Sequence, residues 1–236
     1  MKVKFIPEES RGHANHGWLN AKHSFSFASW YNPERVHFGV LRVLNDDIIA
    51  PKMGFSTHPH DNMEIITIPL TGALAHKDSM GNSSTINAGE IQVMSAGSGV
   101  EHSEFNPLPN QETNLFQIWL FPNKRNVEPR YDQQQIEVDQ HPNQLVQILS
   151  PNKDDQGVWI HQDAWFYMGK FDRETTVKYV MKDRNNGLFV MQIEGQSTLV
   201  GKQLNRRDAL ELEQLESVDI QLQPNAFILI MEIPMS

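Results

Sequence analysis

Short apolar runs separated by turn residues recur along the whole chain, and this alternation predicts an all-β protein. In the first half the clearest runs are His23-Ser24-Phe25-Ser26-Phe27, Phe38-Gly39-Val40-Leu41-Arg42-Val43-Leu44, Glu64-Ile65-Ile66-Thr67-Ile68-Pro69-Leu70 and Leu115-Phe116-Gln117-Ile118-Trp119-Leu120-Phe121. In the second half they are Leu145-Val146-Gln147-Ile148-Leu149, Val177-Lys178-Tyr179-Val180-Met181, Leu188-Phe189-Val190-Met191-Gln192-Ile193 and Ala226-Phe227-Ile228-Leu229-Ile230-Met231. Turn chemistry places reversals at Asn45-Asp46-Asp47, Ser79-Met80-Gly81-Asn82, Asn87-Ala88-Gly89 and Asn185-Asn186-Gly187. Helical periodicity is sparse; Arg206 to Leu215 fits either a short helix or a strand.

The stretch Pro122 to Gln144 carries three prolines among Asn, Arg, Asp and Gln and reads as a connector. It divides the chain into residues 1–130 and 131–236. A weak repeat crosses it. Ile68-Pro69-Leu70-Thr71-Gly72 followed by Ile86 to Val93 resembles Met191-Gln192-Ile193-Glu194-Gly195 followed by Leu204 to Leu212. Both read as strand, glycine turn, strand, acidic turn, strand, which suggests two related barrels.

Composition narrows the function classes. The formal net charge is −9 and no Lys/Arg cluster breaks the acidic balance, so direct nucleic-acid binding is not expected. There is no cysteine, which removes disulfides, thiolate metal sites and cysteine nucleophiles together. The first residues lack an apolar h-region, and no apolar run is long enough to span a bilayer. A cytoplasmic protein without membrane attachment is the expectation. All ten histidines lie at or before His161, so if the halves are related barrels only the first has kept imidazoles for metal work.

Two segments carry that chemistry: Thr57-His58-Pro59-His60-Asp61-Asn62-Met63-Glu64 and Gly99-Val100-Glu101-His102-Ser103-Glu104. In an extended chain residues i and i+2 project to the same side. His58 therefore converges with His60, and His102 with Glu104. A lone His-x-His is more often a polar strand face than a ligand pair, but the two segments together supply three imidazoles and a carboxylate. That donor set suits Fe, Ni, Cu, Mn or Zn and not Ca or Mg. Glu64 shares parity with His58 and His60, so it stands as an alternative carboxylate ligand, or as an acceptor for an imidazole N–H. His13, His16, His37 and His76 read as structural. Trp18, Trp30, Trp119, Phe25 and Phe27 read as core or barrel lining.

Longer blocks extend the pattern: Arg11-Gly12-His13-Ala14-Asn15-His16-Gly17-Trp18-Leu19, His76-Lys77-Asp78-Ser79-Met80-Gly81, and Met94-Ser95-Ala96-Gly97-Ser98-Gly99-Val100 leading into His102. With these the chain resembles a pirin of the cupin superfamily, and is most similar in wording to bacterial pirin-like quercetinases. The resemblance implies a bicupin fold, with two face-to-face β-barrels and metal only in the N-terminal one. It implies His58, His60, His102 and Glu104 as ligands to one divalent transition metal, Fe(II) first, with Ni, Cu, Mn or Zn as substitutes. Ser95 stands where a proline is common among other cupins, and the Gly97-to-His102 spacing is longer, as in pirins. The implied activity is a metal-dependent dioxygenase that cleaves the heterocycle of quercetin-like flavonols and releases carbon monoxide. Glu104 is the first choice of base and Glu64 the second. The alternative, also implied by the family, is a metal-binding, redox-sensing regulator that acts through a protein partner.

Overall fold

A computed structural model describes all 236 residues, Met1 to Ser236. Strands dominate, and the helical content is two 3₁₀ turns, Glu8–Ser10 and Glu137–Gln140. No helix is long and apolar enough to cross a membrane. The chain forms two compact units. One comprises residues 12–135 and 158–162; the other comprises residues 1–11, 136–157 and 163–236. The connector at 122–144 does contain the main crossover, but each unit also borrows a distant segment that composition did not reveal.

In the first unit seven antiparallel strands lie in the order Arg130–Gln135, Glu90–Ser95, Glu64–Thr71, Thr113–Leu120, Leu41–Ile49, Leu19–His23 and Gly12–Asn15. A second, four-stranded sheet has the order Gly54–His60, Val100–Phe105, Ala73–Asp78 and Ser83–Asn87. Period-two alternation sends one set of side chains from each strand inward. The interior is apolar at both ends. Leu19, Ala21, Ile49, Leu74, Ile86 and Leu115 cluster at one end, and Ile65, Met94, Ala96 and Val100 at the other. Between them runs a polar belt. Gln92, Thr67, Gln117, Asn45 and His23 stand directly opposite one another across five neighbouring strands.

Two sequence expectations change here. Asn45-Asp46-Asp47 is not a turn; it lies in mid-strand within Leu41–Ile49, where its side chains supply part of the belt. His23-Ser24-Phe25-Ser26-Phe27 is not one strand, since Leu19–His23 ends at His23.

The second unit repeats the plan. Lys2–Ile6, Ala209–Glu213, Gly187–Glu194, Ala226–Ile233, Trp165–Phe171 and Val146–Ser150 lie side by side in that order. Opposite them is a four-stranded sheet of Thr175–Val180, Ser217–Leu222, Ser197–Leu199 and Lys202–Leu204. From Leu41 to Leu120 and from Trp165 to Ile233, eight strands follow one another into equivalent sheet places, so the repeat seen in sequence is a repeat of topology. Gly72 and Gly195 occupy the same reversal, both with positive φ (76° and 70°). Arg206 to Leu215 resolves as the strand Ala209–Glu213. Leu188, Val190, Leu210, Leu212, Ile220 and Ile230 fill the interior of this unit.

Candidate metal centre

Gly54–His60 and Val100–Phe105 pair antiparallel, with His58 opposite His102 and His60 opposite Val100. Burial alternates along Val100–Phe105, so His102 and Glu104 turn inward while Glu101 and Phe105 face out. The ladder slips between His102 and Glu104. Gly54 sits at this slip because the chains approach closely: a Cβ there would lie 2.1 Å from the Glu104 carbonyl oxygen.

The three imidazoles converge. Ring centroids lie 4.4 Å apart for His58 and His102, 4.9 Å for His58 and His60, and 5.0 Å for His60 and His102. One ring nitrogen of each lies within 4.8 Å of the others. His58 Nδ1 donates to the Ser56 carbonyl at 2.9 Å, which orients its Nε2 lone pair toward the cluster. Neither His102 nitrogen has a hydrogen-bond partner, nor does His60 Nε2. Burial, reinforced by the neighbouring imidazoles, pushes His60 down to about 4 and His102 down to about 2. Both rings are therefore neutral near pH 7, the state that binds metal.

Glu104 is buried, and Gln117 Nε2 donates to both of its oxygens at 3.2 Å. Burial raises its proton affinity, against the pull of His76, Gln117, His58 and the Thr67 hydroxyl. His76 was not expected at the site. It lies opposite Glu104 on Ala73–Asp78, and a nitrogen of its ring falls within 4.8 Å of ligand atoms of His102 and Glu104. Its Nε2 meets Asp78 Oδ2 at 3.2 Å, and its Nδ1 has no partner. The parity that His76 shares with Asp78 is visible in sequence, but the pairing that sets His76 beside Glu104 is not.

Glu64 is placed elsewhere. The chain leaves the four-stranded sheet at His60 and enters the seven-stranded one at Glu64, so parity with His58 and His60 does not carry across the bend. Glu64 alternates away from Ile65 and Thr67, accepts from the Ser95 hydroxyl at 2.7 Å, and is bonded by the His161 backbone. Burial raises its carboxyl to about 7, opposed by Ser95, His161 and Arg130.

A cavity of about 220 Å³ opens beside the cluster. His58, His60 and Glu104 form one side, and the belt residues Gln117, Asn45 and His23, with Asp47, form another. Leu19, Ala21, Phe27, Phe55 and Trp119 complete it with flat or apolar surface. Asn45 Oδ1 is taken up by His23 Nδ1 at 2.9 Å, and Trp119 stands edge-on to His60 and Phe27. Three converging imidazoles, two of them with unpartnered nitrogens, and a buried carboxyl group fit a borderline divalent transition ion.

Repeated cupin-type topology, with such a cluster confined to one repeat, defines a bicupin with a candidate metal site in one barrel. The family model for Pirin matches residues 5–120, and that for the quercetinase C-terminal cupin domain matches residues 147–233. The chain belongs to the pirin family. It is 39% identical over 225 residues to a quercetin 2,3-dioxygenase of Escherichia coli, covering 95% of each chain. It is 38% identical over 234 residues to a putative quercetin 2,3-dioxygenase of Pasteurella multocida, covering 99% of each. The crystal structure of the bacterial pirin YhhW from Escherichia coli in complex with nickel(II) superposes with a TM-score of 0.94 at 34% identity, covering 100% of both chains.

Proposed function

We propose that this protein is a metal-dependent dioxygenase that opens the heterocycle of quercetin-like flavonols with dioxygen and releases carbon monoxide. One observation carries the reading: His58 and His60 of the imidazole cluster share with Glu104 the wall of a cavity that also presents the flat or apolar surfaces of Leu19, Ala21, Phe27, Phe55 and Trp119. The names of the two relatives point the same way.

His58, His60, His102 and Glu104 would hold one divalent ion per chain, Fe(II) first, with Ni, Cu, Mn or Zn as substitutes. When bound, such an ion supplies Lewis acidity that lowers the pKa of a coordinated hydroxyl. The chain's own residues do the rest. Glu104 accepts the proton of the flavonol 3-hydroxyl, held for that task by Gln117 and Thr67. Phe27, Phe55 and Trp119 orient the planar rings, and Leu19 and Ala21 keep water from the reacting carbons. Glu64, bonded to Ser95 on the other face of the sheet, takes no part.

An open cavity beside the cluster favours turnover over the regulatory alternative, which has no use for a ligand-sized space at the histidines. The test is carbon monoxide release and loss of flavonol absorbance under air. Apo protein is reconstituted separately with each of the five ions, beside His60→Ala and Glu104→Ala. Turnover that depends on metal and disappears in both variants is expected. No turnover with any ion, despite one metal bound per chain, would overturn the reading.

A further inference from the structure

The cavity wall holds one acid that the proposed chemistry does not use. Asp47 lies on Leu41–Ile49, is 5% exposed, and lines the cavity beside Asn45 and Gln117. Its direct neighbours across the sheet are Ala21 on one side and Leu115 on the other, and neither side chain can donate a hydrogen bond. Its Oδ1 is buried without a partner. The amide side chains around it are already engaged: Asn45 with His23, Gln117 with Thr67 and Glu104, and Asn114 with Asp46 and the Asp47 backbone carbonyl.

A buried carboxyl held for structure alone looks different. Glu232, in the other unit, accepts from the Tyr179 hydroxyl, the backbone amides of Lys182 and Asp183, and the Asn186 side chain. Leaving a buried acceptor unsatisfied is destabilising, and natural cores rarely do it without a functional reason. Burial, then Asp46 and Glu104, push the Asp47 carboxyl well above the usual carboxylate range. Its unpartnered Oδ1 faces a cavity and is placed to pair with a ligand hydroxyl.

We propose that Asp47 sets specificity in the cavity by forming a hydrogen bond with a ligand hydroxyl other than the one directed to the histidine cluster. The inference rests on the flavonol reading above and names how that ligand class is sorted. A site built to pair a hydroxyl discriminates against the analogue that lacks it, because the protein group is then left buried and unpaired.

The experiment compares wild type, Asp47→Ala and Asp47→Asn, each loaded with metal and checked for one ion per chain. The probes are 3-hydroxyflavone, its 5,7-dihydroxy derivative and quercetin. Binding is read without dioxygen by quenching of tryptophan fluorescence, and turnover is read under air. Wild type is expected to favour at least one hydroxylated probe over 3-hydroxyflavone by roughly tenfold. Asp47→Ala should shrink that ratio to about threefold or less, with Asp47→Asn between the two. In ligand-free protein Asp47→Ala should melt no lower than wild type, since it removes an unpaired buried group. A ratio unchanged in Asp47→Ala and Asp47→Asn would overturn the proposal. Binding of the probes without turnover would sink the dioxygenase reading, while the ratio still decides Asp47. Failure of wild type to bind any of the three would overturn both.

Discussion

The two units share one strand plan and differ in what fills it. In the first, Thr67 stands five residues before Gly72, and the row through it reads Gln92, Thr67, Gln117 and Asn45. In the second, Val190 stands five residues before Gly195, and the equivalent row reads Leu210, Val190, Ile230 and Tyr167. The strands that carry His58, His60, His102 and Glu104 in the first unit have Val177, Tyr179, Val218, Ile220 and Leu222 as their inward residues in the second. The same backbone thus supports a polar, incompletely satisfied interior and a closed apolar one. Fold is set by period-two patterning and reversals; chemistry is set by which inward positions are polar.

The largest expected effect lies on the functional side of this contrast. Glu104→Gln keeps the size and one acceptor of the side chain but removes the base. Flavonol turnover should fall about 10²- to 10⁴-fold, the usual range for losing general-base assistance. Steady-state rates at matched metal content check this, and a fall below tenfold would return the proton to another group.

On the structural side, Glu232→Ala leaves several donors unpaired in a dry interior. It should lower unfolding stability by about 3 kcal/mol or more while metal content stays at one per chain. Chemical denaturation with metal analysis would show this, and loss of metal in the folded variant would mean that the two interiors are not independent.

Glu64 gives a smaller, pH-dependent effect. Its carboxyl stands at about 7 in the folded protein against an ordinary 4.5, so folding favours its protonated form. The stabilisation is complete below about pH 4.5 and is lost as pH rises through about 7, by roughly 3 kcal/mol. Denaturation midpoints between pH 5 and pH 8 should fall in wild type and fall less steeply in Glu64→Gln. Equal slopes would remove Glu64 as the cause.

The smallest expected change is none. Placing histidines in the second unit by Val177→His with Tyr179→His should leave metal at one ion per chain, because Val218, Ile220 and Leu222 supply no further donors. A second bound ion by mass spectrometry would show that strand geometry alone suffices.

Much of this was legible from the sequence. Period-two runs gave the all-β class, and Gly72 and Gly195 marked the repeat. The spacings His58-x-His60 and His102-x-Glu104 point to residues that the structure places in two overlapping groups, His58, His60 and His102 in one and His76, His102 and Glu104 in the other. What stayed hidden has physical causes. Asn45-Asp46-Asp47 has turn composition, yet its flanking strands Thr113–Leu120 and Leu19–His23 pair with it on both sides and hold it extended. Tertiary pairing overrode local preference there, at the position where the cavity gains its polar wall. Glu64 shares the parity of His58 and His60 yet lies on the other sheet, because a sheet change at a bend leaves no mark in parity. His76 was passed over because only the pairing of Ala73–Asp78 with Val100–Phe105 reveals its neighbours.

The strand Lys2–Ile6 pairs with Ala209–Glu213, placing Lys2 opposite Glu213. This sets an order on synthesis. Lys2–Ile6 has no partner until more than two hundred further residues have been made, whereas most of the first unit emerges as one continuous stretch and can close early. Through that interval Val3 and Phe5, both still about 40% exposed when paired, travel on an unpaired β-edge flanked by Lys2 and Lys4. Charges of this kind are what discourage such an edge from joining a neighbouring nascent chain.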